Sequence, residues 1–162
     1  GNNPFRAYGL IVKGSLFKPF YINMEPLTFF RRIRFALDFF YGFSVYYLYE
    51  ENVPVGYCTI TSGKNKRFWF ATPKDIMIGP YYIDPSFRGK NYSFFLAKFI
   101  LDNCVSDWDN AYLYILNSNK PSIKIAEKLG AKFKFHVHNN SFRKLKMKDD
   151  GEYGIYEIKG KC

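Results

Sequence analysis

The stretch Ile83-Asp84-Pro85-Ser86-Phe87-Arg88-Gly89-Lys90-Asn91-Tyr92-Ser93 joins two segments of different period. Before it, Ile76 to Ile83 reads as a strand, interrupted by Gly79-Pro80. After it, Asn91 to Cys104 repeats Phe95, Leu96, Phe99 and Ile100, the spacing of a helix packed by one face. A loop of small or flexible residues with two cations, Arg88 and Lys90, therefore leads from strand to helix. A helix N-terminus presents N–H groups with no intrahelical acceptor and a partial positive charge, so a diphosphate is well held there. Taken alone, the same pattern also describes strand-to-helix loops that bind nothing.

On the N-terminal side, Tyr8 to Val12 reads as a strand. Leu27 to Phe40 carries Phe30, Ile33, Leu37 and Phe40 at helical spacing, with Glu25-Pro26 at its start. Ser44 to Tyr49 and Val55 to Thr61 are strands joined by the polar turn Glu50 to Val53, hence a hairpin. Ser62 to Arg67 is polar and basic. On the C-terminal side, Ala111 to Leu116 is a strand, and Ser122 to Leu129 is a helix closed by Gly130. Lys132 to Val137 and Tyr153 to Ile158 alternate like strands, with the polar, basic stretch Asn139 to Gly151 between them. This order predicts an α/β layer protein with a mixed sheet. Gly79-Pro80 marks a break in its strand, because Pro donates no ladder bond and Gly accompanies bends and bulges.

The 162 residues suit one domain. The aromatic share of 21% excludes disorder, and the net charge of +10 invites an anionic partner. No apolar run reaches the roughly 18 to 20 residues of a membrane-spanning helix. Gly1-Asn2-Asn3-Pro4 does not read as a signal peptide, and Gly1 in place of Met fits a trimmed chain. Cys58, Cys104 and Cys162 show no metal-ligand spacing and fit a reducing, cytoplasmic setting.

The quoted loop resembles the acyl-CoA-binding signature of the GCN5-related N-acetyltransferase family: valine-x-proline, two residues, then Q/R-x-x-G-x-G/A. Ile83 stands for the valine, Pro85 matches, Arg88 opens the signature, and Asn91 and Ser93 occupy its two glycine positions. Asn tolerates positive φ better than most residues and Ser is small, so the loop keeps the means to close around a diphosphate. A second block, Asn119-Lys120-Pro121-Ser122-Ile123-Lys124-Ile125-Ala126-Glu127-Lys128-Leu129-Gly130-Ala131, resembles the family's late helix, N-x-x-S with an E-K-x-G ending, in the form of its ribosomal-protein N-acetyltransferase branch. Glu51-Asn52-Val53-Pro54-Val55-Gly56-Tyr57 resembles the family's hairpin, in which a polar turn leads into V-G-y. The resemblance covers about residues 44 to 137 and the first 40 residues in element order only. It implies an α/β fold with a central mixed, mostly antiparallel sheet of about six to seven strands, helices on both faces and a splayed parallel strand pair, residues 1–162 forming one acetyltransferase domain.

The resemblance also implies acetyl-CoA as co-substrate, no metal, and direct transfer to a primary amine of a small molecule, an amino sugar or a peptide N-terminus. The cofactor is expected between Ile76 to Ile83 and Ala111 to Leu116. Backbone groups of Tyr81, Tyr82 and Ile83 would pair with its pantetheine, and the N–H groups of Arg88, Gly89, Lys90, Asn91, Tyr92 and Ser93 would take its pyrophosphate. Lys120, Lys124 and Lys128 would add cations for the phosphates, and Asn119 and Ser122 would face the thiol end. Direct transfer needs a neutral amine, a polarised carbonyl and a proton for the leaving thiolate. Where many relatives carry a donor Tyr this chain has Ala126, so Ser122 is the expected donor, its plain alternative being a helix N-cap. Tyr112 and Tyr114 are reserves or core residues.

A general base is less marked. Glu25, Asp84, and His136 with His138 are candidates, the imidazoles because they titrate near neutrality. The two histidines equally suit a surface pair, and no third metal ligand accompanies them. Cys58 reads as a small core residue. Arg31, Arg32 and Arg34 read first as a solvated helix face and otherwise as a site for an anionic acceptor or a membrane surface; Phe29, Phe30, Phe39 and Phe40 crowd the same helix, whose outer side would suit an acceptor, a lipid or a partner, a homodimer included. A second reading keeps the fold without turnover, as a CoA-binding sensor or scaffold, since both signature glycines and the donor Tyr are replaced. The charge and the aromatics would also suit a nucleic-acid binder. No aromatic RNA-binding signature appears, however, and the cations are spread over several segments, so no nucleic acid is expected as partner.

Overall fold

The computed structural model describes residues 8–12, 28–30, 33, 42–103, 108–140 and 144–160, and within them the expected order of elements is found with one strand added. Of the helix expected over 27–40, Phe29, Phe30 and Ile33 fall among the described residues, helical and exposed. Glu25, Arg31, Arg32, Arg34, Phe39, Phe40, Cys104 and Cys162 lie outside them. The chain divides into two compact units, Gly1–Ile60 with Pro80–Cys104 and Thr61–Gly79 with Val105–Cys162.

The first unit contains β1 (Tyr8–Val12), β2 (Phe43–Glu50), most of β3 (Val53–Ser62), the second half of β4 (Ile76–Ile83) and α1 (Tyr92–Asn103). Its strands follow the order β1-β2-β3-β4. β1 runs antiparallel to β2 from Tyr8↔Tyr49 to Val12↔Val45. Glu51 and Asn52 link β2 to β3 with φ of 48° and 70°. Two successive positive φ angles are what a two-residue turn between right-twisted strands requires. Phe43, Val45, Tyr47 and Tyr57 form a buried cluster against which Tyr49 and Tyr82 pack. α1 buries Tyr92, Leu96, Ala97 and Ile100, one stripe of its surface, and packs on β2.

The second unit contains the first half of β4, β5 (Asn110–Leu116), α2 (Lys120–Lys128), β6 (Lys132–Asn139), β7 (Leu145–Met147) and β8 (Tyr153–Lys159), in the strand order β4-β5-β8-β6-β7. β8 is antiparallel to both β5 and β6, and β7 is antiparallel to β6. β7 is the added strand, so the described residues hold eight strands where six to seven were expected. It falls in the stretch read as polar because, of its three residues, Leu145 alone is buried. Gly130, with φ of 86°, ends α2 by a paired motif in which Ala131 N–H reaches Ala126 O and Gly130 N–H reaches Glu127 O.

β4 and β5 are parallel over three rungs, Ile76↔Ala111, Met77↔Tyr112 and Ile78↔Leu113. The ladder stops before Gly79, whose φ is 105°, and the boundary between the two units falls between Gly79 and Pro80. The break anticipated at Gly79-Pro80 is therefore present. No helix among the described residues is long and apolar enough to cross a membrane.

Candidate functional site

In the first unit β4 delivers the loop. Asp84 N–H donates to Val55 O at 2.8 Å and Pro80 O accepts from Thr59 Oγ1 at 3.2 Å, so alternate backbone groups of this segment turn toward β3. By the same alternation Tyr81 and Ile83 direct theirs away from β3, and on that side Ile83 O accepts from Arg88 Nε. Gly56 explains the V-G-y pattern: a Cβ there would collide with Tyr82 O and with Ile83 Cδ1.

Asp84 then starts a short 3₁₀ turn, Pro85–Phe87. Its Oδ1 accepts from Ser86 N at 3.0 Å and from the Ser86 hydroxyl. These bonds stabilise the carboxylate and hold its pKa below the usual range, with Arg88 adding a smaller push. An ionised acceptor already engaged in its own turn is poorly suited to be a general base. Arg88 folds back, donating from Nε to Ile83 O at 3.0 Å and lying 5.7 Å from the Tyr82 ring centre. Lys90 Nζ lies 5.7 Å from the Phe87 ring centre. Gly89 and Asn91 have φ of 83° and 61°. Asn91 thus keeps the left-handed conformation that the family's glycine would supply, as its residue type allows. Ser93 lies in the first turn of α1. The Tyr92 side chain is turned into the core, where its hydroxyl donates to Glu50 Oε2 at 2.6 Å.

In the second unit α2 starts two residues earlier than expected. Its N-cap is Asn119, whose Oδ1 accepts from Ser122 N at 3.3 Å. Pro121 fits the first turn, where its missing N–H has no helical role. Ser122 is therefore a buried residue of the first turn, and the alternative reading of it as the N-cap is corrected. The preceding turn is fixed by Asn117, which donates from Nδ2 to Gly151 O at 2.8 Å and from N to Glu152 O at 2.9 Å. Ala126 is fully buried.

The reserve donors differ. Tyr112 gives its proton to Glu157 Oε2 at 2.9 Å, and burial together with that carboxylate raises its pKa well above the ordinary phenol. A proton held so firmly is a poor one to transfer. The Tyr114 hydroxyl is enclosed, its ring stacked on Tyr153 with centres 4.3 Å apart, and burial raises its pKa well above the ordinary phenol. His138 Nδ1 meets Glu152 Oε2 at 2.7 Å, which lowers the Glu152 pKa, while His136 Nδ1 lies 3.3 Å from Tyr153 O. Cys58 is buried, its thiol donating to Thr59 O at 3.7 Å. Among the described residues no group of three or more His, Cys, Asp or Glu could hold a metal ion. Two residues outside the sequence-based expectation matter in this geometry: Glu50, which anchors Tyr92, and Arg67, whose Nε is enclosed beside Tyr114. No local signal marks either, since both partners lie far along the chain.

Residues 14–131 match the acetyltransferase (GNAT) family. The chain belongs to that family. Among solved structures it is similar to an N-acetyltransferase from Staphylococcus aureus Mu50, at 20% identity over 83% of this chain and 79% of that one, with a TM-score of 0.57. It is also similar to yncA from Salmonella typhimurium, solved with its cofactor acetyl-CoA, at 15% identity over 80% of this chain and 71% of that one, TM-score 0.56. A third, RimL, a ribosomal L7/L12 alpha-N-protein acetyltransferase in complex with coenzyme A, shares 13% identity over 80% of this chain and 71% of its own, TM-score 0.52. At these identities the likeness shows the fold, and the family rests on the match over 14–131. No curated protein matches the sequence.

Proposed function

We propose that the chain, as one acetyltransferase domain, is an acetyl-CoA-dependent N-acetyltransferase that passes the acetyl group directly to a primary amine. The acceptor is a small molecule, an amino sugar or a peptide N-terminus. The observation that carries this reading is the loop from Ile83 to Ser93. Positive φ at Gly89 and Asn91 on either side of Lys90 is the alternation that turns successive N–H groups toward one concave side, a cradle for an anion. Gly89 adds open space, with nothing within 4 Å of where a Cβ would stand. These residues fit a diphosphate, so Arg88, Gly89, Lys90, Asn91, Tyr92 and Ser93 would hold that of acetyl-CoA, Tyr92 through its backbone. The edge formed by Tyr81 and Ile83 would pair with the pantetheine, with Tyr82 as the stacked support behind it.

Acetyl-CoA supplies the activated acyl carbon. Nitrogen of the neutral acceptor bonds to that carbon as the C–S bond breaks; the amine gives up a proton to water, and the thiolate gains one. Ser122 is the group assigned to that second transfer or to hydrogen-bonding the thiolate, and Asn119, whose cap fixes the turn carrying Ser122, is the positioning residue. A cytoplasmic location belongs to the same reading, resting on the three cysteines, odd in number and without the spacing of a disulfide framework or metal site. Thiol release from acetyl-CoA over a panel of amines, amino sugars and peptides tests it.

Two observations favour a second reading, a CoA-binding module without turnover: Ala126 cannot donate a proton and the Tyr112 hydroxyl is committed to Glu157. Calorimetric binding of acetyl-CoA with no thiol release on the whole panel supports that reading and excludes the first.

A further inference from the structure

His138, near the end of β6, and Glu152, which precedes β8, meet at 2.7 Å, Nδ1 to Oε2. Glu152 is held on two further sides: its Oε1 accepts from Asn139 N at 3.2 Å and its carbonyl oxygen from Asn117 N at 2.9 Å. The bond with His138 is the main cause holding the Glu152 pKa below the usual carboxylate range. An ionised carboxylate offers only acceptors, so Nδ1 is the nitrogen that carries the hydrogen. In the neutral ring the proton-accepting lone pair then sits on Nε2, the nitrogen turned away from Glu152. The His138 side chain is 46% exposed, so a substrate or a water can approach it.

The sheet register ties this pair to the turn that carries Ser122. β5 and β8 pair as Leu116↔Tyr153, and β6 and β8 as Val137↔Tyr153. One residue further along, Asn117, Glu152 and His138 stand abreast on three neighbouring segments, and the bond from Asn117 N to Glu152 O continues the ladder to that row. At about 4.8 Å between strands, the His138 and Asn117 backbones are roughly 10 Å apart. Side chains alternate along β8, so Glu152 shares a face of the sheet with Tyr156. Burial and, after it, the Glu127 carboxylate raise the Tyr156 pKa, which places α2 on that same face. Asn117 also donates from Nδ2 to Gly151 O at 2.8 Å, and two residues on, Asn119 caps the turn of α2 that contains Ser122. His138 and Ser122 therefore stand at the same end and on the same face of the second unit. The charges facing His138 are Glu152, Asp150, itself paired with Lys148 at 3.1 Å, and Lys146, its register partner on β7. His136 lies two residues along the same strand, with a carbonyl, Tyr153 O at 3.3 Å, where His138 has a carboxylate.

A base for the acceptor amine needs a free lone pair, a fixed ring orientation and a partner that offsets the charge it gains. We infer that His138 is the general base of the transfer, its Nε2 taking through one water the proton that the acceptor amine gives up, with Glu152 as the positioning residue. The electron pair of the broken N–H bond stays on nitrogen as the C–N bond forms. The C–S pair leaves with the thiolate, which is protonated as described above, and the imidazolium returns its proton to solvent. Glu152 fixes the tautomer and balances the imidazolium while it lasts. The role rests on the N-acetyltransferase reading.

Wild type, His138→Gln and Glu152→Gln are compared by thiol release with the best amine of the panel over the pH range around neutrality, by calorimetry with acetyl-CoA, and by 15N NMR of the histidine rings. His138→Gln is expected to lower kcat about 100-fold or more with Kd for acetyl-CoA unchanged. NMR is expected to show the neutral His138 ring protonated at Nδ1, and the midpoint of its titration to coincide with the midpoint of the wild-type kcat profile. Glu152→Gln, whose amide oxygen still accepts from Nδ1, is expected to be severalfold slower, with both midpoints moving together. If His138→Gln fails to bind acetyl-CoA, the paired midpoints of wild type and Glu152→Gln decide. Turnover by His138→Gln equal to wild type, a neutral ring protonated at Nε2, or a rate midpoint that stays in place while the ring midpoint moves overturns the proposal and leaves acetyl transfer standing. No thiol release by wild type with any amine removes the proposal and the enzymatic reading together.

Discussion

The hydroxyl of Tyr92, the first residue of α1, donates to Glu50 Oε2, the last residue of β2, at 2.6 Å. This bond ties the helix that receives the loop to the hairpin beside it. Removing it with Tyr92→Phe is expected to lower stability by about 1.5–3 kcal/mol in urea unfolding, the range for a bond to a charged acceptor. Burial, then Glu50, push the Tyr92 pKa from 10.0 to about 12. The folded chain therefore keeps this proton over a range in which the unfolded chain releases it. The contribution is full below pH 10 and is lost as pH rises toward 12. The stability difference between wild type and Tyr92→Phe should be constant from pH 7 to 10 and shrink above it; a difference that grows there contradicts the assignment.

Asn91 carries φ of 61° without being glycine. Asn91→Ala forces a Cβ-bearing residue with no side-chain compensation into that conformation, at about 1 kcal/mol. Affinity for acetyl-CoA should fall roughly tenfold if the loop relaxes, since about 1.4 kcal/mol corresponds to a factor of ten. Asn91→Gly should bind at least as tightly as wild type. Calorimetry on the three proteins decides the order.

Ser122 and Asn119 separate by their readouts. Ser122→Ala is expected to slow thiol release by roughly two to four orders of magnitude if the hydroxyl transfers the proton, with unchanged affinity for acetyl-CoA. Asn119→Ala loses the cap bond and should lower stability by about 1 kcal/mol. Its activity should fall through kcat, with Asn119→Asp restoring most of it because an aspartate also caps.

Gly56→Ala places a methyl group against Tyr82 O and Ile83 Cδ1. Backbone cannot move aside as a flexible side chain can, so a loss of about 1–3 kcal/mol is expected in thermal or urea unfolding. Because Ile83 belongs to the edge proposed for the pantetheine, acetyl-CoA affinity is expected to drop as well.

Much of this architecture can be read from local pattern. β4 runs over Ile76–Ile83 with its break at Gly79-Pro80, because Pro and Gly act on their own backbone. The turn at Glu51-Asn52 and the ending of α2 at Gly130 are equally local. β7 is not legible, since a strand of three residues with one buried side chain carries no period. The start of α2 is displaced because Ser122 looks like a cap until Asn119 is seen to hold its N–H. Glu50 reads as turn polarity, and its bond to Tyr92 spans 42 residues. Arg67 reads as one more surface cation, and its neighbour Tyr114 lies on β5. Long-range pairing of polar groups is invisible to periodicity, and that is the part of the candidate site the sequence leaves unread.

The central claim, direct acetyl transfer from acetyl-CoA, is tested most directly by following release of free thiol from acetyl-CoA in the presence of a panel of primary amines. The account predicts amine-dependent thiol release by wild type and at least a tenfold loss in Ser122→Ala. No amine-dependent release from any acceptor would contradict it, whether or not calorimetry shows acetyl-CoA bound.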